Sequence, residues 1–376
     1  LFLLIIIVNN SNEKEKTSQV LENLNLSKPE VPYENLIIEN ENNAFSGIYD
    51  PSIEYLNESI GYMAYSAVKM PKYVSTGIAK TIDNGKTWQF ISSINTGKED
   101  TIDDNGKEIK GVWRNEVPTL VYDKDDTGKE WKLYTHKYFT REPFGGNDRV
   151  FSHGWITYQY ASNPEGVWSE EIPLFGAKLF PPEEYPTKIK INDLHSDLKD
   201  ILVYSELGSL YYNNTLYLSI AGHEIDMKFK LILLQSKDHG ETWQYSGTFL
   251  TEKDAENLGH KWFTGSSLVE VNDNIYLITT GALDTKMETY SGTHIFLVED
   301  LSKAKLKRDN NNNIEAQIII PLSFSHHGGQ SDYDKYNYNG GVLIPELDID
   351  LDTITYDELV NKPNYFTIRR SEVKIE

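Results

Sequence analysis

The sequence contains no cysteine among its 376 residues. Disulfide bonds and thiolate metal sites are therefore excluded as sources of stability. Positive charge is also scarce, because 36 Lys and Arg residues stand against 57 Asp and Glu residues, for a formal net charge of −21. Nucleic-acid-binding proteins concentrate positive charge, so this balance argues against a nucleic-acid partner and favours a neutral or cationic ligand.

Long hydrophobic runs are missing as well. The apolar run at the amino end, Leu1 to Val8, has eight residues, too few to span a bilayer. Its length fits the hydrophobic part of a signal peptide, so we expect export and no membrane span; the alternative is an apolar fragment left by an arbitrary boundary. A polar tract follows, and we assign residues 1–35 to a signal-like segment with a flexible tether and residues 36–376 to the folded domain.

Aromatic residues are abundant, with 24 Tyr, 14 Phe and 7 Trp. They suit both β-strands and surfaces that stack on sugars. From Asn43 onward, short alternating runs are broken by turn residues about every ten positions, which predicts an all-β fold. These runs group into five units of about four strands, spaced by about 45 to 75 residues. The pattern predicts a five-bladed β-propeller of four-stranded antiparallel blades.

One turn motif occurs twice, at Thr81 to Trp88 and at Ser236 to Trp243, with the pattern S/T-x-D-x-G-x-T-W. Its Asp can accept hydrogen bonds from main-chain N–H groups, its Gly can take a positive φ, and its Trp can fill a gap between sheets. The motif resembles the Asp-box turn of sialidases and related β-propellers, in which the Asp is structural. We predict that Trp88, Trp243 and Trp168, which follows a related turn, occupy equivalent positions between sheets.

The first unit opens with Ser46-Gly47-Ile48-Tyr49-Asp50-Pro51-Ser52-Ile53. Its Asp-Pro-Ser-Ile run resembles the opening of the five-bladed glycoside hydrolases, the arabinanase and β-xylosidase family and its sucrose-cleaving relatives. The resemblance covers most of residues 43–345. In that superfamily an Asp of the first blade acts as base or nucleophile, and a Glu of the third blade is the general acid. An acid of the second blade tunes the pKa of the general acid and orients it.

Matched position by position, the resemblance implies one acid in each of the first three units. Asp50 takes the first position, Glu116 in Trp-Arg-Asn-Glu-Val-Pro the second, and Glu206 in Ser-Glu-Leu-Gly-Ser-Leu-Tyr-Tyr the third. The second acid of the family is usually Asp, its Glu-Gly-Pro is Glu-Leu-Gly here, and Tyr49 stands where a His often precedes the first Asp. Glycoside hydrolysis needs a protonated and an ionised carboxyl group, and a third acid keeps the donor protonated by like-charge repulsion.

Four further residues are candidates for contacts with a sugar or ion. Trp113 and Arg114 precede the inner strand of unit two and Trp262 that of unit four, where they would supply stacking surface and hydrogen-bond donors; simple packing is the alternative for Trp262. His327, in a segment that opens unit five, is a candidate ligand for a central water or cation, with a turn histidine as the alternative. The expected chemistry requires no cofactor, and a central cation stays an open question.

Three functions fit these features. The first is an exported, monomeric glycoside hydrolase that cleaves a neutral oligo- or polysaccharide. The second is a propeller that has lost catalysis and binds carbohydrate or another surface partner, since one fold hosts many functions. The third is an exo-sialidase-like enzyme, which would need three arginines around a carboxylate. Only Arg114 clearly leads into an inner strand, and the negative net charge disfavours an anionic sugar.

Overall fold

A computed structural model describes residues 34–104, 106–142, 154–176, 187–224, 228–283, 290–322, 328–337, 340–349 and 354–375. Nearly all regular structure in these ranges is strand, which confirms the predicted all-β class. The two described α-helices are short, α1 (Glu252–Asn257) and α2 (Tyr356–Asn361), and each begins with a capping box built on a threonine hydroxyl. Within the described ranges, no helix is long and apolar enough to cross a membrane.

The strands form successive units, each built mainly of antiparallel neighbours. Two short strands precede them, β1 (Glu34–Asn35) and β2 (Ile38–Glu39). Unit one contains β3 (Gly47–Tyr55), β4 (Gly61–Lys69), β5 (Tyr73–Thr81) and β6 (Trp88–Asn95). Unit two contains β7 (Lys98–Asp104), β8 (Lys107–Tyr122), β9 (Trp131–Arg141), β10 (Gly154–Ala161), β11 (Ile172–Gly176) and β12 (Ile189–Lys190). Unit three contains β13 (Ile201–Tyr212), β14 (Thr215–Glu224), β15 (Phe229–Ser236) and β16 (Gln244–Thr251).

The remaining strands make two more units. Unit four contains β17 (Trp262–Val271), β18 (Asn274–Ala282), β19 (Tyr290–Asp300), β20 (Lys305–Leu306) and β21 (Ile318–Pro321). Unit five contains β22 (Asp332–Asp334), β23 (Gly341–Leu347) and β24 (Phe366–Arg370). Units two, three and four are separate sheets, whereas units one and five belong to one nine-stranded sheet.

The two ends of the described chain meet in that nine-stranded sheet. β24 pairs in parallel with β3 through Phe366 and Gly47, and it pairs antiparallel with β1 on another part of its length. Glu34 and Asn35, the strand residues of β1, fall at the end of the segment that the sequence predicts as a tether. Main-chain hydrogen bonds thus join the first unit, the last unit and the amino-terminal strand.

One strand of each unit faces a common space. β3, β8, β13, β17 and β22 all contribute residues to the lining of one cavity of about 80 Å³. Hydrogen bonds join neighbouring members. The Thr119 and Ser209 hydroxyls lie 2.7 Å apart, and the Ser267 hydroxyl donates at 2.8 Å to the main-chain carbonyl of Ser331, the residue before β22. We call these five strands the inner strands.

Apolar clusters fill the seams between units. Leu207, Ile220 and Trp243 of unit three pack with Val121 and Tyr134 of unit two. A second cluster joins units three and four, and a third joins units one and two. Units one, two, three and four therefore bury apolar side chains against their neighbours along the chain.

The two copies of the turn motif have the same geometry. Asp83 accepts hydrogen bonds from the Thr87 N–H at 2.9 Å and the Thr87 hydroxyl at 2.8 Å. Asp238 accepts the equivalent pair from Thr242 at 2.9 and 2.6 Å. Gly85 and Gly240 take positive φ values of 77° and 93°, a conformation that glycine adopts without steric strain. Both turns thus fold as the sequence predicts.

The three tryptophans predicted to be equivalent all lie at seams with a neighbouring unit. Trp88 is 1% exposed and packs in a cluster with Leu343 and Ile368 of unit five, and Trp243 is 4% exposed in the cluster with unit two. Trp168 packs against the cluster between units one and two but is only partly buried. Its indole N–H donates to the Pro164 carbonyl at 3.2 Å, whereas that of Trp243 donates to Gly240 at 3.0 Å.

Candidate active site

A left-handed residue interrupts four of the five inner strands at corresponding points. Asp50 in β3, Val117 in β8, Glu206 in β13 and Gly265 in β17 have φ values of 48°, 49°, 44° and 55°. Each lies at a register shift in the pairing of its strand with the next one. Positive φ is uncommon for residues other than glycine, and bulges of this kind redirect side chains near functional sites. Two of the four residues are acids predicted from the sequence.

The Asp50 carboxylate is buried and held by two donors. Oδ1 accepts the main-chain N–H of Gln330 at 3.0 Å, and Oδ2 accepts the Ser66 hydroxyl at 3.0 Å. Burial raises the pKa of Asp50, and the hydrogen bonds from Gln330 and Ser66 oppose that rise. Both donors stabilise the ionised form, which is the form that a catalytic base requires.

The Glu206 carboxylate is anchored beside the same segment. Oε2 accepts the N–H of Gly265 at 2.9 Å. A Cβ added to Gly265 would lie 2.8 Å from the Cα of Gln330, so the Gly265 backbone touches the residue that holds Asp50. The sequence does not predict this contact between Gly265 and Gln330, because the two residues lie in different units.

Electrostatics also links the two acids. Burial, and to a smaller extent the charge of Asp50, raise the pKa of Glu206 to about 7, although the hydrogen bond from Gly265 opposes the rise. Asp50 is thus an acid that raises the pKa of Glu206, the effect that the sequence analysis expects from Glu116. A carboxyl group with a pKa near neutrality, beside another whose hydrogen bonds favour its ionised form, is the pairing that acid and base catalysis uses.

Glu116 is fully buried and precedes the left-handed Val117 by one residue. The Val117 N–H donates at 3.1 Å to the Ser66 hydroxyl that itself donates to Asp50. Across the β8 and β9 pairing, Glu116 lies opposite His136, whose pKa burial lowers to about 3. Glu116 is thus placed near Asp50 through Ser66, and its role as a tuning acid stays a prediction.

Trp113 and Arg114 make extensive contacts within the protein. Trp113 packs against Phe139 and Trp155 with ring centroids 5.2 and 5.1 Å apart, and its indole N–H donates to Asp100 at 2.9 Å. Arg114 is 5% exposed, and its guanidinium donates to the carbonyls of Lys72 and Pro71. Their roles in sugar binding stay predictions.

Of the other two candidates for contacts with a sugar or ion, the structure describes Trp262 but not His327. Trp262 is 1% exposed, and its ring contacts that of His223 edge-on at 5.9 Å. His327, the candidate for a central water or cation, lies outside the described residues.

One group of side chains in the described part of the chain has metal-like spacing. Ligand atoms of Asp123, Asp126 and His239 lie within 4.8 Å of one another. The fully buried ammonium of Lys132 lies among them, 3.6 Å from Asp123 and in an ion pair with Asp126. This lysine supplies the positive charge at that position, so the group does not fit a vacant cation site.

Two residues of the site were not found by sequence reasoning. Ser66 lies in an apolar strand, β4, with no motif around it. Gln330 belongs to the run Gly328-Gly329-Gln330-Ser331, and its two glycines were the available signal. A Cβ on Gly329 would lie 2.3 Å from Oδ1 of Asp50, so only glycine allows this segment to approach the acid.

The sequence matches no protein-family model and no curated protein, but the fold resembles solved structures. A thermostable family-43 glycoside hydrolase aligns over 89% of this chain and 92% of its own, with a TM-score of 0.53 and 12% identity. The catalytic domain of a family-62 α-L-arabinofuranosidase from Coprinopsis cinerea aligns over 92% and 98%, with a TM-score of 0.52 and 9% identity. A family-32 β-fructofuranosidase of Bombyx mori aligns over 95% and 67%, with a TM-score of 0.52 and 11% identity.

These likenesses define the architecture. The chain has the fold of the propeller glycoside hydrolases, and the resemblance predicted from its opening motif is confirmed at that level. Identities of 9 to 12% show the fold alone, so the activity has to be argued from the site.

Proposed function

We propose that the protein is an exported, monomeric glycoside hydrolase that cleaves a neutral glycan in the funnel of a five-bladed propeller. The count of five rests on the five inner strands that line one cavity. The observation that carries the function is the placement of Asp50 and Glu206 at matching left-handed bulges, anchored to touching main-chain segments. A net charge of −21 disfavours an anionic sugar and supports a neutral one.

In the proposed reaction Glu206 is the general acid. Its protonated carboxyl gives a proton to the glycosidic oxygen as the bond from that oxygen to the anomeric carbon breaks. Asp50, ionised and held by Gln330 and Ser66, takes a proton from the water that attacks the anomeric carbon from the opposite face. Glu116, whose neighbour Val117 donates its N–H to the Ser66 hydroxyl, helps to set the protonation of the site.

Leaving-group dependence tests the assignment. We expect Glu206→Gln to cripple hydrolysis of substrates with poor leaving groups and to spare activated aryl glycosides, whose departure needs little protonation. Asp50→Asn should suppress both equally. Aryl arabinosides, xylosides, galactosides and fructan oligomers form the first screen, and proton NMR of the first product distinguishes Asp50 as base from Asp50 as nucleophile by its anomeric configuration.

Glu54→Gln is the matched control. Burial also raises the pKa of Glu54 to about 7, but Glu54 lies four residues after Asp50 on β3, about 13 Å further along an extended strand. The activity of the Glu54→Gln variant should equal that of the wild type. Equal damage to both substrate types in the Glu206 variant would remove Glu206 from the acid role. Complete inactivity of the wild type with retained sugar binding would favour a carbohydrate-binding propeller.

A further inference from the structure

Buried polar atoms without partners gather at the seam between units three and four. His223 on β14 is 5% exposed, and neither of its ring nitrogens has a hydrogen-bond partner in the described chain. The same holds for the indole N–H of Trp262 and for the hydroxyl of Ser205, each on a residue 1% exposed. An unsatisfied buried polar atom costs about 1 to 3 kcal/mol, so such a set calls for a bound partner.

The three residues lie close together. The His223 ring contacts the Trp262 ring at 5.9 Å. In the pairing of β13 with β14, Val203 lies opposite His223 and Ser205 lies opposite Ala221. Ser205 and His223 therefore lie on the same face of this strand pair, because residues two apart on a strand and directly opposed residues share a face.

The set also borders the acid Glu206. Ser205 precedes Glu206 in β13, and Trp262 lies three residues before Gly265, whose N–H donates to the Glu206 carboxylate at 2.9 Å. Two of the three strands that carry the unpartnered atoms, β13 and β17, are thus the strands that hold Glu206 in place. A ligand at this seam would lie beside the proton donor.

The chemistry of the set matches a neutral hydroxyl group. Burial lowers the pKa of His223 to about 4, so its ring is neutral near pH 7, with one nitrogen as donor and the other as acceptor. The Trp262 indole adds a donor, and the Ser205 hydroxyl can both donate and accept. A sugar hydroxyl likewise donates one hydrogen bond and accepts others.

We propose that His223, Ser205 and Trp262 form a subsite that binds a hydroxyl group of a neutral sugar next to Glu206. The proposal rests on the proposed glycoside hydrolase function, because it takes the sugar to be the substrate of that site. The competing explanation is a structural one, in which an internal water satisfies these atoms and no ligand reaches them.

The indole N–H of Trp262 provides a direct readout. In ¹⁵N-labelled full-length protein its resonance is identified by its loss in Trp262→Phe, and the protein is titrated with L-arabinose, D-xylose, D-galactose and D-fructose. We expect a saturable shift of this resonance with at least one sugar, and a weaker affinity by about threefold to tenfold in His223→Phe, as the loss of one or two neutral hydrogen bonds predicts. No saturable shift with any of the four sugars would overturn the subsite.

Stability separates the ligand role from the structural one. If His223 serves a ligand, His223→Phe removes two unsatisfied atoms and should leave the melting temperature unchanged or higher, while the KM for the best aryl glycoside rises by the same threefold to tenfold. The matched control is His294→Phe. His294 is equally buried, but its Nδ1 bonds the Gly292 carbonyl at 3.1 Å, so this change should lower the melting temperature and leave KM unchanged.

The outcomes distinguish this proposal from the proposed enzyme activity. A Trp262 shift without hydrolysis of any glycoside would support the subsite and reject the enzyme. Hydrolysis with an unresponsive Trp262 and an unchanged KM in His223→Phe would reject the subsite and leave the enzyme in place. A lower melting temperature in His223→Phe with unchanged sugar affinity would establish the internal-water explanation instead.

Discussion

Oδ1 of Asp50 accepts the main-chain N–H of Gln330 at 3.0 Å although 280 residues separate the two in sequence. The same segment, through Gln330, touches Gly265, which holds Glu206. One short stretch of unit five therefore sets the positions of both acids of the proposed mechanism. The site exists only when the last unit has docked beside the first.

The pH dependence of activity should have a limb near neutrality. Glu206 has to be protonated to act as an acid, and burial together with Asp50 raises its pKa to about 7. We expect kcat/KM to fall as the pH rises above about 7, since this ratio reports the free enzyme. In Glu206→Gln, assayed on an activated aryl glycoside, that limb should disappear. A limb that persists unchanged in the variant would assign it to another group.

The same ionisation should appear in the stability of the fold. Because the pKa of Glu206 rises from 4.5 to about 7 on folding, the folded state binds this proton more tightly than the unfolded state does. The resulting stabilisation, on the order of 3 kcal/mol, is fully present below about pH 4.5 and is lost as the pH rises through about 7. The glutamine of Glu206→Gln does not titrate, so its contribution to stability does not change over this pH range.

We therefore expect the stability of Glu206→Gln relative to the wild type to increase between about pH 4 and about pH 8 in urea unfolding. The difference between variant and wild type is the relevant quantity, because burial also raises the pKa values of Glu54 and Asp332 to about 7 and these acids titrate in both proteins. A difference that stays constant across this range would contradict the burial of a neutral Glu206.

The two repeated turns should contribute to stability and not to catalysis. Asp83→Ala and Asp238→Ala each remove a carboxylate that accepts from a threonine N–H and hydroxyl. We expect each to lower the free energy of unfolding by about 1 to 3 kcal/mol while the turnover per folded molecule stays unchanged. Lys237→Ala, in the same turn as Asp238, is the control and should change neither. Loss of turnover at an unchanged melting temperature would show instead that these turns contribute to catalysis and not to stability.

The junction of units one and five should be sensitive to one methyl group. A Cβ on Gly47 would lie 2.0 Å from the carbonyl oxygen of Phe366, and its φ of 121° is unfavourable for any other residue. Gly47→Ala should therefore destabilise the fold by about 3 kcal/mol or more, measured by urea unfolding. Gly128→Ala is the matched control, since Gly128 has a φ of 86° but no atom within 4 Å of the added Cβ. Equal losses of unfolding free energy in both variants would show that backbone strain at positive φ, and not the contact with Phe366, causes the destabilisation.

The sequence by itself determined the strands and the local turns, because these depend on neighbours along the chain. The short alternating runs from Asn43 onward predict an all-β chain, and the structure has strands such as β3 (Gly47–Tyr55) and β10 (Gly154–Ala161) there. The Asp-Gly-Thr-Trp spacing fixes both repeated turns, whose hydrogen bonds join residues four apart. The Asp-Pro-Ser-Ile opening also pointed to Asp50 before any contact was known.

Tertiary structure alone decided which groups meet. No local motif marks Ser66, and the two glycines before Gln330 do not show which acid that segment meets, because such hydrogen bonds depend on how strands and sheets dock. The short strand β22 has only three residues and reads as a loop, yet it lines the central cavity with four longer strands. The pKa values of Asp50 and Glu206 likewise follow from burial and mutual approach, which exist only after residues of four different units converge.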